Sequence, residues 1–285
     1  MGLFNKEKKE KESQYLLSAT KSRVLDYRVY VMSFFIKILV SIALIVIGGL
    51  VGLIFYGGLF KNNGKYTLFT YVSNLIIFLL IGLIARKIFL PVVINVLKNR
   101  RIKMLKLQFR DFLYSLSNSL SSGMNVNDSL INSYNDLKIQ YSEDAYIVKE
   151  VREMINGINN NISIEDMLKD FGNRSSVDDI SNFATVFETA YRTGGNIKDI
   201  VRRTAEIIGE KMLIAEEIQT KITSNKLQMQ VMNVIPIFII LMLRFLSSEF
   251  ADAFASFIGV ICMTIGIILF VIAYVVGQKI MDIKG

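Results

Sequence analysis

The residues best suited to chemistry are few, and their spacing argues against catalysis. The acid pairs Asp178-Asp179 and Glu216-Glu217 supply the carboxylates that acid–base work needs. Neighbouring residues on a helix do not face each other, so both pairs read as solvated surface. Gly64-Lys65-Tyr66-Thr67 is the nearest approach to a phosphate-binding loop, and it lacks the upstream glycine. The chain has no histidine, which removes His-dependent triads, His general bases and His metal ligands. Its one cysteine, Cys262, lies in an apolar run and can form neither an intrachain disulfide nor a cysteine zinc site. What is left is contact chemistry. Arg192, Lys198, Arg202 and Arg203 surround a glycine turn and could meet an acidic partner, the plain alternative being an exposed helix face. Lys98, Arg100, Arg101 and Lys103 form a basic run beside an apolar one. Without aromatic interleaving that run fits anionic lipid and not nucleic acid. No catalytic residue, metal or cofactor is expected.

These groups need turns and helices to position them. A short signature occurs three times: Asn125-Val126-Asn127-Asp128, Ser163-Ile164-Glu165-Asp166 and Asn196-Ile197-Lys198-Asp199. A capping side chain is followed three residues later by an acid, so the cap takes an orphan N–H and the acid faces the positive end of the helix dipole. Gly123 precedes the first signature, and Gly194-Gly195 precedes the third, where positive φ ends a helix at low cost. Three helix–turn–helix units are therefore expected.

Apolar stripes at helical spacing fill the intervening sequence. Leu105, Phe109, Phe112, Leu113, Leu116 and Leu120 form one, and Val177, Ile180, Phe183, Ala184, Phe187 and Tyr191 a second. Ile197, Ile200, Val201, Ile208, Met212, Ala215 and Ile222 form a third. Together they predict a bundle of six helices over residues 86–228. The last helix should run about 50 Å to Gln228 and enter the following apolar run, with Gly209 as the expected place for a break.

Four uncharged or nearly uncharged runs flank this block in pairs: Ile38–Tyr56, Thr67–Ala85, Met229–Ser248 and Ala253–Val276. Each is close to the ~20 residues that cross a bilayer core as a helix. The fold class expected is all-α, a polytopic membrane protein. Its segments are an N-terminal stretch 1–33, spans 1 and 2 in 34–85, the bundle 86–228, spans 3 and 4 in 229–276 and a tail 277–285. Lys6, Lys8, Lys9, Lys11, Lys21, Arg23 and Arg28 precede span 1, and eight Lys or Arg from Arg86 to Arg110 follow span 2. The loop between spans 3 and 4 carries Glu249 and Asp252 and no cation, so both termini and the bundle are expected in the cytoplasm. Lys61 and Lys65 in the first outer loop are a minor dissent. No cleaved signal peptide and no myristoylation at Gly2 is expected. Lys37 and Arg244 sit near span ends, where long side chains can snorkel. Gly48 and Gly52 fit a close helix contact, Asn74 and Asn233 could bond across helices, and Pro236 should kink span 3.

Two spans, a helical block and two more spans resemble the type II secretion F-domain family. The similarity is greatest to the Tad/Flp pilus platform proteins, TadB and TadC. It is carried by Leu113-Tyr114-Ser115-Leu116 through Gly123-Met124-Asn125-Val126-Asn127-Asp128-Ser129-Leu130, by Ser163–Leu168, and by Arg192-Thr193-Gly194-Gly195-Asn196-Ile197. Pro236 matches a proline often found early in span 3. Phe109-Arg110-Asp111 stands where the family often opens a helix with proline, and Asn160-Asn161 where a glycine usually precedes the middle turn. The resemblance implies a non-enzymatic inner-membrane platform. It would couple a cytoplasmic hexameric secretion ATPase to extraction and polymerisation of pilin subunits, working with a second platform subunit as a homo- or heterodimer. Arg192, Lys198, Arg202 and Arg203 would then meet the ATPase. A transporter or channel subunit, or the platform of a related competence or archaeal filament system, remains the alternative.

Overall fold

The computed structural model describes residues 14–60 and 66–281. Gly2, Lys6, Lys8, Lys9, Lys11, Lys61, Gly64 and Lys65, on which several of the expectations above rest, lie outside them. The described chain is all-α apart from one short hairpin. Strand β1 (Tyr15–Leu17) pairs antiparallel with β2 (Arg23–Leu25). The helices are α1 (Phe34–Tyr56), α2 (Leu68–Ser121), α3 (Val126–Gln140), α4 (Tyr146–Asn159), α5 (Ile164–Ser175), α6 (Asp178–Thr193), α7 (Ile197–Leu246), α8 (Ser248–Phe254) and α9 (Phe257–Met281). Two compact units result. One holds the described part of 1–32 together with 94–214, and the other holds 33–93 and the described part of 215–285. Helices α2 and α7 run through both.

Among the described residues, four helices contain stretches long and apolar enough to cross a membrane: α1, α2, α7 over Leu227–Leu246 and α9 over Phe257–Gly277. The fourth starts later than Ala253 because α8 first makes a separate short helix. In the second unit α1 and α2 approach closely at glycines. A Cβ at Gly48 would lie 2.5 Å from the Ala85 Cβ, and one at Gly82 2.6 Å from the Ile45 carbonyl oxygen. Asn74 Oδ1 accepts from the Gly58 N–H at 2.9 Å, so it does bond across to the end of α1. Arg244 does not simply extend toward a polar boundary as its place near a span end predicts. Its guanidinium donates to the carbonyls of Leu53 at 3.0 Å and Phe55 at 3.3 Å at the C-terminal end of α1, where Leu53 also accepts from the Gly57 N–H.

The bundle is built from the distal half of α2, from α3 to α6, and from the first part of α7. Phe109 sits at its centre, with ring centroids 6.1 Å from Phe112, 6.1 Å from Phe171 and 5.6 Å from Phe183. The α2 stripe is buried from Leu105 to Leu116, and the α6 stripe from Val177 to Phe187. Tyr191 is the exception. It is 43% exposed and stacks on Phe187. On α7, Val201, Ala205 and Ile208 are buried and Met212 packs at the edge, after which the stripe leaves the bundle.

α2 runs on from the second apolar stretch to Ser121 as one helix, and α7 enters the third stretch as expected. α7 continues without a break through Gly209, and Pro236 lies inside it without ending it. At Gly209 the missing side chain instead makes room for Tyr114, whose Oη would stand 3.3 Å from a Cβ there. The N-terminal segment also differs from a plain polar lead-in. Tyr27 is 1% exposed, with its ring edge-on to Tyr146 and Phe171, so the chain enters the bundle core before it turns into α1.

Candidate functional site

The three capped turns share one construction. Gly123 (φ +85°), Asn161 (φ +61°) and Gly194 (φ +70°) each take the left-handed conformation two residues before a cap. The following N–H reaches back five residues: Met124 to the Ser119 carbonyl, Ile162 to that of Gly157, and Gly195 to that of Ala190, at 3.3, 2.9 and 2.7 Å. This is the Schellman closure of a helix. The cap then bonds the acid twice. Asn125 accepts from the Asp128 N–H at 2.8 Å and donates to its carboxylate at 2.7 Å. Ser163 does the same with Asp166 at 3.2 and 2.7 Å, and Asn196 with Asp199 at 3.2 and 2.6 Å. The middle turn works without glycine because asparagine tolerates the left-handed region better than other side chains. That accounts for Asn160-Asn161.

Pairing across the helices places these turns at one end of the bundle. Between α2 and α3, Ser119 meets Asn132, Ser115 meets Asp136 and Asp111 meets Gln140, so the partners step in opposite directions. The same antiparallel stepping joins α5 to α6, where Arg192 lies 4.0 Å from Glu165 and Lys169 lies 3.8 Å from Glu188. The Arg192–Glu165 contact brings the middle and third turns side by side.

The four basic residues around the third turn are all exposed, with different degrees of freedom. Arg192 is held by Glu188 at 3.0 Å, and Arg202 by Asp199 at 3.6 Å. Lys198 and Arg203 face solvent. Exposed pairs of this kind contribute about 0–1 kcal/mol to stability, which leaves these residues available for a partner. Of the second basic group, Arg100 and Lys103 are exposed and Lys98 is half-buried. Arg101 departs from the lipid-facing expectation. Its guanidinium lies 4.4 Å from the Tyr30 ring centroid and donates to the Val29 carbonyl at 3.3 Å, because the N-terminal segment passes beside α2 there.

Two charged centres escaped the sequence reading. The first is buried between α4, α5 and the N-terminal segment. Arg174 donates to both Glu150 oxygens at 3.1 and 2.8 Å, to Asp170 at 2.8 Å and to the Leu25 carbonyl at 2.9 Å. Tyr27 donates to Glu150 at 2.9 Å. Burial pushes the Glu150 carboxyl above the usual carboxylate range against the pull of Arg174, and it also pushes the Tyr27 phenol well up. Removing one partner of such a pair costs about 3–5 kcal/mol because the other charge stays buried. The available signal was a charge on an apolar helix face: Arg174 follows Met167, Leu168 and Phe171, and Glu150 sits among Ile147, Val148 and Val151. The second centre is Asp179, which is not solvated surface. Its side chain is 12% exposed and bonds Lys106 of α2 at 2.7 Å and Lys211 of α7 at 2.6 Å. Asp178 beside it is exposed, so adjacency in sequence concealed two unlike environments.

The arrangement offers contact surfaces and a pair of long helices, and the comparisons agree with that reading. No curated protein and no solved structure matches the chain. Residues 112–245 match the family described as type II secretion system (T2SS), protein F, whose proteins are typically inner-membrane platforms of secretion and pilus systems. That stretch begins at Phe112 in the distal half of α2, takes in all three capped turns and ends one residue before the end of α7. Over that stretch the chain is similar to the type II secretion system protein F family.

Proposed function

We propose that this protein is the inner-membrane platform of a pilus or secretion machine of the Tad/Flp kind. In this reading the bundle lies in the cytoplasm, receives a hexameric ATPase at its turn end and passes the resulting motion to the candidate spans, where pilin subunits are extracted and polymerised. The observation that carries it is α7, a single helix from the capped turn at Asn196 to Leu246 in the third apolar stretch. A continuous helix conveys displacement along its axis because each turn is hydrogen-bonded to the next. The exposed cations Lys198, Arg202 and Arg203 stand at the start of that helix and Arg192 at the end of α6 just before it, where an acidic ATPase surface would meet them. A second platform subunit, alike or different, would complete the assembly, and Lys98, Arg100 and Lys103 would rest against anionic lipid.

Reversing Arg202 and Arg203 to Glu tests the contact. Retention of the ATPase by the purified, membrane-embedded variant is expected to fall about tenfold, which corresponds to about 1.4 kcal/mol, with filament assembly falling alongside and the melting temperature unchanged. Undiminished ATPase retention would remove these residues from the interface. Solute or ion flux through liposomes carrying the wild-type chain would favour a channel instead.

A further inference from the structure

Asp179 occupies a place that the platform reading does not use. It lies in the first turn of α6, a helix that enters neither apolar pair, yet its two carboxylate oxygens are divided between the two helices that do. Oδ2 takes Lys106 of α2 and Oδ1 takes Lys211 of α7. Partial burial pushes its pKa up, and the combined hydrogen bonds and charges of the two lysines override this and leave it below the usual aspartate value. The anion is thus the form the site holds.

We propose that Asp179 is the positioning residue that sets the spacing of α2 and α7, so that both move with the bundle as one; the proposal rests on the platform reading above. Without this carboxylate, Lys106 and Lys211 would be two like charges directed at a common point, and their repulsion would favour separation of the helices. Tyr114 against Gly209 is a further α2–α7 approach, a packing contact that holds closeness without fixing register. On α2, five residues before Lys106, Arg101 grips Tyr30 and Val29 just ahead of α1. The segment entering α1, the helix leaving the first apolar pair and the helix entering the second are therefore tied to one another within a short length of α2. Asp179 is the member whose removal turns attraction into repulsion.

The experiment uses the full chain in lipid nanodiscs with Cys262→Ser, spin labels on Lys103→Cys and Glu210→Cys, and Asp179→Ala, Asp179→Asn and Asp179→Glu variants. For Asp179→Ala and Asp179→Asn, the label–label distance distribution is expected to broaden toward longer distances. ATPase retention should stay within about twofold of the parent and filament assembly should fall about fivefold or more, a coupling of ordinary size. Asp179→Glu should keep both. The charge swap Asp179→Lys with Lys106→Asp and Lys211→Asp should recover the narrow distribution and the assembly. An unchanged distribution in Asp179→Asn overturns the tie whatever the protein does. A broadened distribution with full assembly overturns its role in coupling, as does loss of assembly in step with melting temperature and ATPase retention. If the unlabelled parent retains no ATPase, the platform reading fails, and the distance measurement still judges the tie.

Discussion

At the scale of single residues, the three turns separate backbone need from side-chain need. A Cβ at Gly123 or Gly194 would meet nothing within 4 Å, so these glycines are required by positive φ alone and not by crowding. Gly194→Ala is expected to cost about 1 kcal/mol, read as a lower melting temperature in detergent. Asn161→Gly should be neutral or slightly stabilising on the same measurement, because it removes the residual strain of an asparagine at φ +61°. Equal losses from both substitutions would contradict the shared construction. The buried charges teach a different lesson. Arg174 and Glu150 are legible only as exceptions on apolar faces, and no spacing rule pairs residues on two helices that also require a tyrosine from the N-terminal segment.

At the scale of elements, α3, α5 and α7 have starts encoded in a capping side chain, and glycines set the closeness of the first apolar pair. Replacing Gly48 with Leu would drive its side chain into Ala85, and overpacking of this kind costs about 1–3 kcal/mol. Gly266 has nothing within 4 Å of its Cβ position. Gly48→Leu should therefore lower the yield of folded protein and its melting temperature in detergent, while Gly266→Leu leaves both near the parent value. A matching loss at Gly266 would show that apolar bulk itself, and not the α1–α2 contact, is the cause. The hairpin β1–β2 is the element the sequence did not announce. Three-residue strands are too short for alternation to show, and a hairpin of that size is stable only when packed against something larger.

At the scale of the whole molecule, the proposed transmission can be tested in α7, which contributes residues to both units. Two alanines inserted after Glu217 in α7 would turn the helix beyond them by about 200°, and four by about 400°, close to one full turn. The expected outcome is retained ATPase binding with both insertions, loss of filament assembly with two and partial recovery with four. Equal assembly with two and four would mean that the phase of α7 carries no information between the bundle and the third apolar stretch.

Taken alone, the sequence determined the all-α class, the four apolar stretches, the helical stripes of the core and the three capped turns. Each of these is written in neighbours three to twenty residues apart, where periodicity and capping act directly. Only the tertiary structure decided that α7 runs unbroken past Gly209 and Pro236, that Tyr27 belongs to the core and that Arg244 bonds the end of α1. It likewise separated Asp179 from Asp178. Those outcomes depend on which helix lies opposite which residue. Lys106, Asp179 and Lys211 span more than a hundred positions of sequence, and nothing local marks them as partners until the bundle closes.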